Sequence, residues 1–356
     1  TRYCKHSTAS SKLITRRAAR HERPSYVQEL VSPPRADSSA EVGASHRWKV
    51  LPYLLLAIAP LTWAGNFVVG RFIHDQVPPV SLNLCRWLVA LVALLPFTAP
   101  ILLAQRHLIL RHWKLLALLG ATGIALFHSF VYQALHFTGA INAALVLSTT
   151  PVVIVALSWI LFRDPVTARQ ALGVMVSLLG AVIIVMRGDL GLLLQLQFNK
   201  GDLWMLAAVP NWALYSVLLR RLPPGFHPMG LLAATVTFGL ILLIPVYLWE
   251  LARVGTFQVN VATVGSVLYM GFFASVIAYV CWNQGVATIG ATRAGLFLHL
   301  VPVFSAALAV AILGESVRAF HLVGITLVFA GIYLTNTARP TSDDARALTR
   351  ARDQRG

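Results

Sequence analysis

Ten runs of about twenty predominantly apolar residues succeed one another along this chain, and a helix of that length crosses the ~30 Å hydrocarbon core of a bilayer at ~1.5 Å per residue. They lie at 51–72, 81–104, 113–137, 140–162, 168–186, 203–221, 229–250, 261–285, 292–313 and 319–337. A backbone group inside lipid has no water to bond, so each crossing must satisfy its own N–H and C=O groups; that requirement selects helices and excludes isolated strands. The fold class that follows is an all-α membrane protein with ten transmembrane helices. Composition agrees, since 12% of the 356 residues are charged and mean hydropathy is +0.70, whereas a soluble domain carries about 25% charged residues. Of the 13 Asp and Glu, all fall in the tails, between the apolar runs or, for Glu250, at the last residue of one.

The net charge of +16 raises the question of nucleic acid, but ten of the 29 Lys and Arg lie in residues 1–50 and five more lie from Arg339 onward. No aromatic–basic patch accompanies them, and cytoplasmic tails obeying the positive-inside rule account for the charge. No nucleic-acid partner is expected. Residues 1–50, rich in Ser, Arg and His and without an apolar core, read as a disordered basic tail. An Arg- and Ser-rich leader would also suit an organelle transit peptide, a reading that Glu22, Glu29, Asp37 and Glu41 oppose. Cys85 and Cys281 sit inside apolar runs and Cys4 in the tail, so no disulfide framework is implied.

Internal repetition sets the architecture. Residues Gln133 to Gly180 align without gaps onto Gln284 to Gly331 at an offset of 151, and 14 of the 48 aligned positions are identical. Gly139 pairs with Gly290, Pro151 with Pro302, Asp164 with Glu315, Gly173 with Gly324 and Gly180 with Gly331. Upstream the offset is 149, matching Trp63-Ala64 with Trp212-Ala213 and Pro79 with Pro228. Because each copy holds five helices, an odd number, the two enter the membrane in opposite senses, which is the inverted-repeat plan of many secondary transporters. The expected divisions are a basic tail over 1–50, a first repeat over 51–187, a connecting loop over 188–201, a second repeat over 202–337 and a C-terminal tail over 338–356.

Several of these punctuating residues resemble the drug/metabolite transporter superfamily, and within it the EamA-type ten-helix permeases, over about Leu54 to Asn336. The likeness rests on Trp63-Ala64-Gly65-Asn66-Phe67, on Pro79 with Arg86, and on Gly139-Ala140 through Pro151 to Arg163-Asp164-Pro165, repeated as Gly290-Ala291 through Pro302 to Gly314-Glu315-Ser316. Asp164 departs from the Gly-Glu pattern at that turn. The resemblance implies a central cavity flanked by helices 1 and 6, and export of amino acids, related metabolites or drugs, with no cofactor.

Polar and aromatic residues at helical spacing supply the candidate site. Helix 1 carries Trp63, Asn66, Phe67 and Gly70 on one face, and helix 6 carries Asn211, Trp212 and Tyr215. His128 and Tyr132, four apart on helix 3, map onto Tyr279 and Asn283 of helix 8, with Trp282 beside them; Ser148 on helix 4 maps onto His299 on helix 9. Each residue taken alone serves equally as interhelical hydrogen-bonding glue; the matched set favours a cavity lining. Arg86, alone among Lys and Arg well inside a span, reads as an anion contact or gate, or as a side chain snorkelling to the nearby interface. Pro151 and Pro302 each remove a backbone bond, to the carbonyl of Leu147 or Leu298, and mark kinks that would serve as paired hinges. Asp164-Pro165 reads as a helix N-cap followed by proline.

No carboxylate falls in mid-membrane, which argues against a carboxylate-held ion, although His128 or His299 would suit a proton carrier. An intramembrane enzyme would need paired acids, a metal cluster or a nucleophile with its base, and none occurs at suggestive spacing. The reading is a transporter of a small molecule held in the bilayer, with no metal; a nucleotide-sugar carrier of the same superfamily, or a sensor or scaffold, are the alternatives. The sequence sets neither a monomer nor a homodimer. Within about 20 residues of the spans, 16 Lys and Arg fall on the side of the termini and five on the other, Arg71, Arg187, Lys200, Arg253 and Arg318, so both termini are expected in the cytoplasm of a cell-membrane protein.

Overall fold

A computed structural model of the chain describes residues 38–138, 140–189, 191–194, 199–313 and 316–337. Gly139, Gly314, Glu315, most of the N-terminal tail and the C-terminal tail, all invoked by the sequence, lie outside the described residues. The chain divides into a segment Thr1–Lys49 and a bundle Val50–Gly356. Of the first segment residues 38–49 are described, and they are helical.

Within the bundle, ten helices are long and apolar enough to cross a membrane, and no strand occurs among the described residues. They are α1 (Val50–Ile73), α2 (Pro79–Ala104), α3 (Trp113–Leu135), α4 (Asn142–Phe162), α5 (Ala168–Val185), α6 (Lys200–Arg221), α7 (Pro228–Val254), α8 (Val261–Ile289), α9 (Ala291–Leu308) and α10 (Ala319–Asn336). The outward surface is apolar, with Val92, Phe97, Leu103 and Phe329 all more than half exposed, as a lipid solvent requires and water would penalise. Helix starts follow local chemistry. Pro79 and Pro228 occupy the first turns of α2 and α7, where proline's missing N–H costs nothing. Asn199 and Asn260 cap α6 and α8. The cap of α5 is Thr167, not Asp164: its hydroxyl accepts the Gln170 N–H at 3.2 Å while Gln170 reaches back to the Thr167 N–H at 3.0 Å. That reciprocal pair satisfies two otherwise orphaned donors, and leaves Asp164 free to pair with Arg220 at the end of α6.

The repeats pack as an inverted pair. Two pairs of helices equivalent under the repeat pack against each other, α5 with α10 and α2 with α7. At the α5–α10 crossing a Cβ on Gly173 would lie 2.8 Å from the Gly331 carbonyl, and one on Gly331 would lie 2.4 Å from that of Gly173. One heptad along, Gly180 and Gly324 meet in the same way, at 2.6 and 2.8 Å. Since Gly173 is equivalent to Gly324 and Gly180 to Gly331, the contact is self-complementary, as a two-fold axis demands. The distances also leave no room for a side chain, which is how small residues bring membrane helices together.

Gly180→Val should therefore wedge α5 from α10 and destabilise the protein by about 1–3 kcal/mol, the usual cost of overpacking. Gly265→Ala, at a site with nothing within 4 Å, should leave the melting temperature in detergent unchanged or raise it. Equal melting of both variants and wild type would show that the crossing is not closely packed.

Candidate functional site

A cavity of about 770 Å³ lies between the halves, bounded by α1, α3, α4 and α5 of the first and by α6, α9 and α10 of the second. Of the residues picked out by the sequence, Trp63, Asn66, Phe67, His128, Ser148, Trp212 and Pro302 line it. Its floor is buried: Trp63, Asn66, His128 and Trp212 are each at most 7% exposed. Its rim is exposed and is formed where α1, α3 and α5 end, so the cavity sits on the side of the bundle opposite that from which α1 enters.

Tyr215, Tyr279 and Trp282 do not line the cavity. They are fully buried behind its floor in an aromatic cluster that joins both halves. Trp63 stands edge-on to Trp212 at 5.0 Å between ring centroids and lies 5.5 Å from Trp282. Trp212 reaches Tyr215 at 5.3 Å and Tyr279 at 5.4 Å, and Trp87 stands edge-on to Tyr279 at 4.9 Å. Such contacts contribute roughly 0.5–1.5 kcal/mol per pair beyond burial, and together they close one face of the cavity. Sequence spacing placed these aromatics at one depth; which side of a closed plug they occupy depends on how the halves are tilted.

Arg86 does not snorkel. It is fully buried, and each of its five N–H donors is directed at an oxygen. Nε and Nη2 donate to Ser275 Oγ at 2.9 and 2.7 Å, Nη2 also to the Ala274 carbonyl at 3.1 Å, and Nη1 to Asn66 Oδ1 at 3.1 Å and Tyr132 Oη at 2.5 Å. All of these acceptors are neutral. Distance from the interface suggested a snorkelling side chain, but the helix face decides: α2 turns Arg86 toward α1, α3 and α8. Tyr132 donates to Asn66 Oδ1 at 3.2 Å, and in the second half the equivalent pair is exchanged, with Tyr215 donating to Asn283 Oδ1 at 2.8 Å.

Two carbonyls complete the linkage. Both α3 and α8 pass through a π-helical turn, Gly120–Leu126 and Phe272–Ile277, at repeat-equivalent positions, and π turns release backbone groups from the regular ladder. Gly123 O accepts Tyr279 Oη–H at 2.5 Å; its equivalent, Ala274 O, accepts Trp63 Nε1–H at 3.1 Å in addition to Arg86. Asn83, which the sequence reading passed over, donates to Ile124 O, Ala125 O and Ser129 Oγ at 3.0–3.1 Å. Its only sequence signal is an amide inside an apolar run.

The remaining candidates tie helices together. His299 Nε2 contacts the Ser148 carbonyl at 2.9 Å and Nδ1 the Ser177 hydroxyl at 2.6 Å; since a carbonyl only accepts, the ring is the Nε2–H tautomer and Nδ1 takes the serine proton. Ser148 Oγ bonds Ala144 O at 2.8 Å, and half-buried Asn211 bonds Ala207 O at 2.8 Å. At Pro151, α4 is interrupted between the segments Ala140–Ser148 and Thr150–Phe162, and the Leu147 carbonyl that the proline leaves is taken by Thr150 Oγ1 at 2.5 Å. Before Pro302, α9 tightens into a 3₁₀ turn, Leu296–His299.

Replacing Arg86 by Ala should strand several buried acceptors and lower stability by about 2 kcal/mol. Arg86→Lys, with three donors instead of five, should recover only part of it. Thermal unfolding in detergent is the check, and a wild-type melting temperature in Arg86→Ala would mean that the network carries no net stability.

The model of the EamA-like transporter family matches the chain twice, over residues 50–186 and 199–337. An uncharacterized transporter of Archaeoglobus fulgidus is 32% identical over 291 residues, covering 80% of this chain and 96% of the relative. A probable terminal-alkyne amino-acid exporter of Streptantibioticus cattleyicolor is 27% identical over 281 residues, covering 79% of this chain and 92% of that protein. A solved crystal structure superposes with a TM-score of 0.63 over 80% of this chain and 95% of the other at 21% identity, a likeness of fold alone. The chain is thus a membrane transporter, and it belongs to the EamA-like transporter family.

Proposed function

We propose that the chain exports amino acids or related small metabolites across the cell membrane, by alternating access through the aromatic-floored cavity, with both termini in the cytoplasm. The observation that carries this reading is the relation between what is open and what is closed. Trp63, Asn66, His128 and Ser148 line the cavity, and their repeat equivalents at offsets of 149 or 151 are Trp212, Tyr215, Tyr279 and His299. The last three are fully buried and do not line it. Exchanging the conformations of the two halves would open a second cavity lined by these equivalents toward the other side, which is how inverted repeats generate alternating access. The export direction and the amino-acid class follow the relative from Streptantibioticus cattleyicolor, a probable terminal-alkyne amino-acid exporter.

Pro151 and Pro302 serve this exchange as paired hinges, because each adjoins an interruption of its helix at equivalent depth. Counterflow in proteoliposomes with a panel of amino acids, simple carboxylic acids and organic cations tests the function: saturable exchange of at least one compound is expected, and none at all would sink the transport reading. Pro151→Ala and Pro302→Ala should each slow exchange while preserving ligand binding, and should bias cysteine accessibility toward opposite sides. Wild-type exchange rates in both variants would leave the prolines as static kinks. A cysteine at position 345 that reacts with an impermeant reagent in intact cells would reverse the orientation.

A further inference from the structure

The rim of the cavity is basic. Arg71 near the end of α1, Arg187 just after α5 and Arg318 just before α10 all line it with exposed side chains, and none of the described lining residues is Asp or Glu. Of the five Lys and Arg on the side opposite the termini, these three meet at one mouth.

Two of them are held there against local preference. Arg187 has φ 53°, a left-handed conformation that glycine adopts freely and arginine does not. Arg318 is the N-cap of α10, equivalent to Thr167 on α5 at the offset of 151. The backbone half of the capping geometry repeats, with Arg318 N–H donating to His321 Nδ1 at 3.1 Å as Thr167 N–H does to Gln170 Oε1 at 3.0 Å. Arginine, however, has no acceptor for the helix's orphan N–H and sets a positive charge at the positive end of the helix dipole. At Arg187 the left-handed turn caps α5, its N–H bonding Ile184 O at 3.1 Å and that of Gly188 bonding Ile183 O at 3.0 Å, but such a cap selects glycine and not arginine, and side chains that local rules do not select are those at which function is expected.

Deeper in, Arg86 lies one hydrogen bond behind the cavity wall, through Asn66. A cleft with apolar walls and charge of a single sign focuses its field on a mobile counter-ion, and the walls here include Trp63, Phe67, Phe127 and Trp212.

We propose that the cavity binds a small organic anion, an apolar body bearing a carboxylate, in preference to a zwitterion or an organic cation, with Arg71, Arg187 and Arg318 meeting the acid group. As a statement about the substrate this narrows the transport reading to related metabolites that carry a carboxylate without an ammonium group, and rests on it; as a statement about binding it stands alone. The probes are 3-phenylpropionate, phenylalanine and phenethylamine, which share one apolar body and differ in charge. Tryptophan fluorescence of the purified full chain reads binding, and counterflow in proteoliposomes reads transport.

The acid should bind at least tenfold more tightly than the amine and more tightly than the amino acid. Raising ionic strength from about 20 to about 500 mM should weaken the acid alone, because the rim charges are screened. Arg71→Gln, Arg187→Gly and Arg318→Thr should each weaken acid binding roughly threefold, the effect of one exposed charge. The last two should also raise the melting temperature by about 2 °C by relieving their local conflicts, so weaker binding cannot be assigned to misfolding. Binding of the acid without exchange would keep the anion site and remove the transport reading. Amine binding as tight as acid binding, acid affinity unmoved by the arginine variants, or no binding of any probe would overturn the proposal.

Discussion

Two backbone carbonyls hold the two halves of this protein in register. A π turn in α3 and another in α8 loosen the helical ladder at equivalent depth, and a carbonyl freed within a membrane must find a donor inside the protein. Each finds it in the opposite half. Tyr279 reaches Gly123, while Trp63 and Arg86 reach Ala274. The aromatic plug, the Asn66–Tyr132–Arg86 network and the cavity floor are arranged around these bonds, so any motion that opens the closed side must carry them along or break them.

Close packing supplies the rest. The glycine contacts of α5 with α10 bring backbone against backbone and fix one wall of the cavity, beside which α4 and α9 are both interrupted along their course. Rigid outer pairs and broken inner helices divide the bundle into parts that hold and parts able to bend.

Apolar run length located all ten spans to within a few residues, because lipid thickness allows little choice. The repeat was equally legible, since glycine and proline mark places where backbone geometry admits few substitutes, and the Gly173, Gly180, Gly324 and Gly331 quartet found in the alignment is the set that packs α5 on α10. Three features escaped for physical reasons. A π turn has no side-chain signature separating it from an α turn. Depth along a helix does not reveal azimuth, so Arg86 read as near the surface when it points to the interior. Access belongs to a conformation and not to a residue, so Tyr215 and Trp282 could be assigned to the midplane but not to one face of a plug. Thr167 was readable, because Thr-x-x-Gln is a capping box, but the neighbouring Asp164-Pro165 offered a competing start.

Arg86 has no basic twin: the equivalent position, at an offset of 149, is Thr235. Two copies of the first half paired head to tail would bury two guanidinium groups in one dry interior furnished with neutral oxygens. Even about 10 Å apart these would repel by about 2 kcal/mol at an effective dielectric constant near 20, in addition to the cost of desolvating a second ion. Two copies of the second half would bury none, and would leave the carbonyl and hydroxyl of Ala274 and Ser275 without their principal donor. Carrying both halves on one polypeptide fixes the stoichiometry at a single buried guanidinium among the described residues, a number that no symmetric assembly of either half alone can reach.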